Sequence, residues 1–290
     1  MAQNQRTKTI KEFIYIDEIE LNSILAQLDN GLTTVIHDMQ QALSGNTESN
    51  SKTKTHQGSG GISTFIKAEG GYTESAQNSI QDINQSISQE AADTVYNDYA
   101  VDIILKELRA SGQLYADKRG VNHPAGSFIL VDSPYKIFDF EETQALTSNP
   151  DFKKLIEDQG GDISPTELQD QLDSLDKISS IANVYREVTK GTDLLSIEDG
   201  VVFAESKNFR MNSTQRKMLS LRKSKIKVFG IVEARVSESD MDMDSFTEHD
   251  DLSGITDFAA KSNFFLLSVL GEKFIKNNDR LIKPVAIYFE

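Results

Sequence analysis

IKEFIYIDEIELNSILAQL, residues 10–28, is the stretch from which the fold can be worked out. Ile10 to Ile16 are rich in β-branched and aromatic side chains, which suit a pleated, half-buried strand. Asp17 then stands before Glu18-Ile19-Glu20, an Asp-x-x-Glu spacing that caps a helix. Leu21, Ile24, Leu25 and Leu28 recur three and four residues apart and give one apolar helix face, with Asn30-Gly31 as its stop. A β-α unit this short buries that face only against something else, so the rest of the chain must supply a sheet and a second layer.

Residues 44–75 change character: Ser, Thr, Asn, Gln, Lys and Gly dominate, punctuated by Gly58, Gly60-Gly61 and Gly70-Gly71. Within this segment Ile62, Thr64, Ile66, Ala68, Gly70 and Tyr72 alternate with polar residues as on an amphipathic strand, although Phe65 falls on the wrong face. Ile80, Ile83, Ile87, Ala91 and Val95 then share a stripe that predicts a long helix from Ala76 to about Gly112. Ser127 to Phe140 reads as two short strands around Ser133-Pro134, followed by helical segments near Glu141–Ala145 and Asp151–Glu157. Gly160-Gly161 marks a break. Ser164-Pro165-Thr166-Glu167 starts a helix that runs toward Lys190 and stops at Gly191. Val201–Ala204, Lys225–Val236 and Leu281–Phe289 read as strands, and Asp257–Leu270 as an apolar helix. With no regular βαβ alternation, the expectation is an α+β fold: a mixed, mainly antiparallel sheet with long helices and a Gly/Ser-rich loop. Its parts are an N-terminal β-α element over 1–43, a Gly/Ser-rich mobile or amphipathic segment over 44–75, and an α+β body over 76–290, divisible near 160.

Composition limits the function. The absence of Cys excludes a disulfide framework, a thiol nucleophile and thiolate zinc sites. The first residues carry no apolar stretch of the secretory type, and the most apolar run, Phe258 to Leu270, is interrupted by Lys261 and Asn263, so a cytoplasmic location is expected. A net charge of -15 repels nucleic acid and anionic lipid at long range and favours protein partners. His37, His56, His123 and His249 lie in no metal-ligand frame, and neither a Gly-x-Ser-x-Gly elbow nor a phosphate-binding Gly-Lys-Ser/Thr loop occurs. Asp240, Asp242, Asp244, Glu248 and Asp251 have EF-hand-like intervals, but Ser245 replaces the turn glycine, and a solvated acidic loop is the simpler reading. No catalytic residue, cofactor or metal site is assigned.

Two surface features remain. Arg216, Lys217, Arg222, Lys223 and Lys225 gather positive charge before a predicted strand, a patch for an anion or an acidic partner. With no aromatic residue between Arg216 and Lys227, a base-stacking platform is not expected there, nor is nucleic acid as a partner. Ile62, Ile66 and Tyr72 mark a segment that could pair with copies of itself and insert into a membrane after activation, as alternating strands of a barrel do.

Phe13-Ile14-Tyr15-Ile16-Asp17 followed by Leu21-Asn22-Ser23-Ile24-Leu25-Ala26-Gln27-Leu28 resembles the opening of a bacterial family. That family shows an aromatic strand ending in Tyr-Leu-Asp, then Leu-Asn-Ser-Leu-Leu-Ala-Gln, then a Gly/Ser-rich loop. Lys227-Val-Phe-Gly230 and Pro284-Val-Ala-Ile-Tyr288 also resemble its C-terminal strands. It is the family of DolA, the small component of the Dodola anti-phage defence system, whose companion is similar to Clp-type AAA+ ATPases. The resemblance implies a defence role and a partner, not a chemistry. The expectation is therefore a non-enzymatic defence component that forms a homo-oligomer or assembles with a Clp-type AAA+ ATPase, with Tyr15, Asp17, Leu21, Asn22 and Gln27 as interaction candidates. The alternatives are a membrane-damaging effector that uses the Gly/Ser-rich segment, and a metal-dependent nuclease built on dispersed carboxylates.

Overall fold

The computed structural model describes residues 10–28, 89–116, 123–159, 164–238 and 275–290. The chain divides into two units, Met1–Tyr15 with Ala116–Glu290, and Ile16–Tyr115. The expected Gly/Ser-rich segment, the first part of the helix from Ala76, the acidic run from Asp240 and the helix at Asp257–Leu270 lie outside the described residues.

The smaller unit contains α1 (Glu18–Gln27) and α2 (Gln89–Ala110). Asp17 caps α1 as its spacing predicts, accepting from the Ile19 and Glu20 N–H groups at 3.1 Å each. Leu21, Ile24 and Leu25 are buried, as are Val101, Ile104, Leu105 and Leu108 of α2. Two side-chain hydrogen bonds fix the pairing: Asn97 Nδ2 donates to Glu18 at 2.7 Å, and the Tyr96 hydroxyl to Asn22 at 3.2 Å. Apolar faces meeting along both helices supply the stability that two isolated helices lack.

The strands are β1 (Glu12–Ile16), β2 (Leu114–Ala116), β3 (Phe128–Ser133), β4 (Tyr135–Phe138), β5 (Thr192–Ile197), β6 (Gly200–Glu205), β7 (Ile226–Arg235) and β8 (Arg280–Phe289); β2 falls mostly in the smaller unit, and the others build the sheet of the larger one. Within the larger unit the order is β3-β7-β8-β6-β5-β4, with β1 also paired to β8. β3/β7, β7/β8, β5/β6 and β4/β5 are antiparallel, and β6/β8 is parallel. Among the described residues, four helices accompany it: α3 (Phe140–Thr147), α4 (Pro150–Gln159), α5 (Pro165–Val188) and α6 (Ser213–Leu219). The fold is α+β with a mixed, mostly antiparallel sheet.

The sheet is curled. β3 and β4 stand far apart in the strand order, and in a flat sheet with about 4.8 Å between neighbours they would be roughly 24 Å apart. Yet Pro134 alone separates Ser133 from Tyr135, a link that reaches about 7 Å. The sheet must therefore bend back until its two ends meet at Pro134. Ser133 Oγ braces this corner, donating to the Pro134 carbonyl at 2.7 Å and accepting from the Glu198 N–H in the β5–β6 turn at 3.0 Å. Ile129 and Val131 of β3, Leu195 and Ile197 of β5, Val202 of β6, Val228 of β7 and Ile282 and Ile287 of β8 form one interior cluster. The interior is thus a packed core.

The outer side is covered near β5 and β6. There Leu194, Val201 and Leu281 pack with Phe140 of α3 and Tyr185 of α5, whose rings stack at 4.6 Å between centroids. α5 begins with the box its sequence predicts: Ser164 Oγ accepts from the Glu167 N–H, and the Glu167 carboxylate accepts from the Ser164 N–H at 3.0 Å. It ends before Gly191, whose φ of +72° a side chain would oppose. Gly200 is required by close approach instead, since a Cβ there would lie 2.6 Å from the Arg280 carbonyl across the β6/β8 pair.

Candidate functional site

α6 is a seven-residue helix opened by an Asn212–Gln215 capping box and anchored in the interior cluster by Leu219. Arg216, one turn before Leu219, lies on the same side of the helix and is only 12% exposed. Its guanidinium bridges three elements. Nη1 lies 3.3 Å from Asp193 of β5 and donates to the Ser206 carbonyl at 3.1 Å, while Nη2 lies 3.5 Å from Asp139, the cap of α3. The same group sits over the Phe209 ring at 5.1 Å. Lys217 next to it pairs with Glu142. Between α3 and α6 this leaves a cleft of about 200 Å³, lined by Ile137, Asp139, Glu142, Arg216, Lys217 and Ser220 among others.

Asp193 is the most perturbed group of the cluster. Burial pushes its carboxyl up to about 6, against the opposing pull of Arg216, with Asp139 and Glu141 adding in the same upward direction as burial. Its 3.3 Å approach to Arg216 is an ion pair rather than an aligned hydrogen bond, since Oδ2 has no hydrogen-bond partner. Desolvation therefore outweighs the cation beside it.

The size and charge of the cleft decide what it can do. Ligand pockets commonly enclose about 300 to 1,000 Å³. This one is smaller, and its two cations are paired with Asp139, Asp193 and Glu142, so the arrangement is a clamp that fastens α6 and α3 to β5. A wider groove of about 550 Å³ opens beside the corner, lined by residues including Tyr135, Lys136, Phe138, Glu198 and Lys276. Its tyrosine hydroxyl is engaged with the Leu219 carbonyl at 2.7 Å. Among the described residues no group of three or more His, Asp or Glu could hold a metal ion. No helix among them is long and apolar enough to cross a membrane.

The structure redistributes the residues singled out in the sequence. Tyr15 is 1% exposed and stacks edge-on against Phe209, Asp17 is a helix cap, Leu21 is fully buried, and Asn22 accepts the Tyr96 hydroxyl. Gln27 donates back to the Ser23 carbonyl. Tyr15, Asp17 and Leu21 are thus buried, Asn22 is half-buried and Gln27 is exposed. Ile62, Ile66 and Tyr72 lie outside the described residues. The residues of the basic patch have different surroundings. Arg216 and Lys217 belong to the clamp, and Arg222 pairs with Glu12 at 2.7 Å while lying 3.5 Å from the centre of the Phe289 ring. Lys223 and Lys225 remain exposed on the loop before β7. Aromatic rings do meet these cations, but they come from Phe209 and from β8, far along the chain.

Asp139 and Asp193 are the residues that the sequence reading missed. Asp139 had a signal, because Asp-x-x-Glu142 repeats the capping spacing seen at Asp17. Asp193 had only a faint one, a carboxylate placed directly against the apolar pair Leu194-Leu195. A family model described as Domain of unknown function (DUF6414) matches residues 10–288. No curated protein and no solved structure matches.

Proposed function

The chain belongs to that family, and we propose that it is a non-enzymatic component of a bacterial anti-phage defence system, working in the cytoplasm by self-assembly and by interaction with a Clp-type AAA+ ATPase. The observation that carries the interaction reading is α5. Its apolar side chains Ile178, Ile181 and Val184 are 48%, 37% and 36% exposed on successive turns, an uncovered stripe on a long helix. Apolar surface left open in this way marks a place where another surface docks. The defence role and the ATPase are supported by the motif at Phe13–Leu28 and the C-terminal strand segments. In the charged cleft, cations paired with carboxylates of the same chain suit a structural clamp better than a centre for chemistry.

Mild affinity purification of the tagged chain from its native host, followed by mass spectrometry and light scattering, tests this reading. The expected result is a Clp-like ATPase in fixed ratio with the chain. Recovery of the chain alone from infected and uninfected cells would overturn the partnered reading.

A further inference from the structure

The net charge hides a local reversal. From Ser206 to Val232 the chain contains eight Lys or Arg and no Asp or Glu, although the whole carries -15. In the fold, acidic residues from other elements neutralise part of this stretch: Glu142 pairs with Lys217, Glu12 with Arg222 at 2.7 Å and Glu290 with Lys227 at 2.7 Å. Lys223 and Lys225, exposed on the loop between α6 and β7, enter no ion pair among the described residues. Met218 and Leu221 precede them in the chain, 66% and 82% exposed. The Leu221 N–H reaches the Met218 carbonyl at 3.1 Å, so the chain makes one further turn that sets both side chains on one side, away from the inward-facing Arg216 and Leu219.

Two features select the occupant. Unpaired lysines call for negative charge, and two largely bare apolar side chains call for a medium that takes Met and Leu out of water. Nucleic acid answers only the first, since its phosphates give nothing to Leu221. A rigid protein partner needs about 800 Å² from each side for a stable interface, and two projecting side chains supply a small part of that. An anionic bilayer surface answers both and requires no matched shape, because its headgroup phosphates meet the lysines and its acyl boundary meets the apolar pair. The acidic remainder of the molecule does not forbid the approach: at about 0.15 M salt, charges more than about 8 Å away are largely screened. We propose that the turn joining α6 to β7 is a contact site for an anionic lipid surface, with Met218 and Leu221 entering the acyl boundary and Lys223 and Lys225 on headgroup phosphates. This contact is independent of the α5 stripe and of the ATPase.

The test is co-sedimentation of the full chain, at about 0.15 M salt, with vesicles of phosphatidylcholine alone or with about one-third phosphatidylglycerol. The mixed vesicles are expected to retain the chain, and the neutral ones to retain it about tenfold less. Met218→Ser with Leu221→Ser keeps every charge, and Lys223→Gln with Lys225→Gln keeps every apolar residue. Each pair is expected to weaken retention about tenfold, and the lysine pair also to flatten its salt dependence. Circular dichroism checks the fold of both, and Leu221→Ser alone replaces the first pair if that pair is unfolded. No retention on mixed vesicles would overturn the proposal. So would full retention of the Ser pair, because charge alone or another segment would then hold the chain to the lipid. Wild-type binding to polyuridylate or polyglutamate with none to vesicles would also overturn it, assigning the turn to nucleic acid or to an acidic protein instead.

Discussion

Asp193 is 2% exposed, and its carboxyl is pushed up to about 6 by burial. An unfolded chain releases that proton near the ordinary aspartate value, about 3.9. Between pH of roughly 4 and 6 the folded protein thus holds a proton that the unfolded chain has lost, and stability falls as pH rises through the window. The loss is complete above it and amounts to on the order of 2 to 3 kcal/mol for this group. Thermal melts of Asp193→Asn across that range are expected to lack the falling component; a profile identical to the wild type would mean that Asp193 ionises normally. Arg216→Ala should act in the opposite sense, because it leaves a buried carboxylate without its cation. We expect a cost of about 3 kcal/mol at pH 7 and a smaller one at pH 5, where Asp193 takes up a proton, measured by urea unfolding.

α1 is held by a cap, an apolar face and two cross-helix hydrogen bonds, so Asp17→Ala is expected to cost about 1 kcal/mol and to speed amide exchange in Ile19 and Glu20 first. Unchanged exchange there would show that the cap is dispensable. Elements of this kind were legible because their determinants are local: Asp17 and Ser164 announce helix starts, Gly191 a helix end, and Ile226–Arg235 a strand by its side chains. β5 was not. Its buried Leu194-Leu195 pair faces two apolar layers, one on each side of the sheet, so the alternation that betrays a half-exposed strand is absent. α6 was hidden for a different reason: its Asn212–Gln215 box was readable, but Arg216 and Lys217 drew attention as surface charge. Whether a cation faces solvent or a buried carboxylate depends on β5 and α3, which lie elsewhere in the chain, and no local pattern of Arg216 contains that information.

Taken as a whole, the larger unit owes its integrity to the meeting of the two sheet ends at Pro134, and this can be measured. Ile129 and Leu195 belong to strands separated by β7, β8 and β6 in the strand order, a distance of roughly 19 Å if the sheet were flat. In the curled sheet both are fully buried in one cluster. Ile129→Ala and Leu195→Ala should each cost about 2 to 5 kcal/mol, and the double variant should depart from their sum by at least 0.5 kcal/mol. Strict additivity would argue for an open sheet. The same architecture has a consequence in time. β8 is the strand on which β7, β6 and β1 all pair, yet it lies at residues 280–289, so a nascent chain emerges with β1 through β7 already made and no central strand to receive them. Pairings between segments so distant in sequence form slowly, and until β8 is synthesised the apolar sides of β6 and β7 have to be shielded by other means. The sheet is therefore expected to close only once β8 has emerged, with chaperone dependence falling on the interval between the emergence of β7 and that of β8.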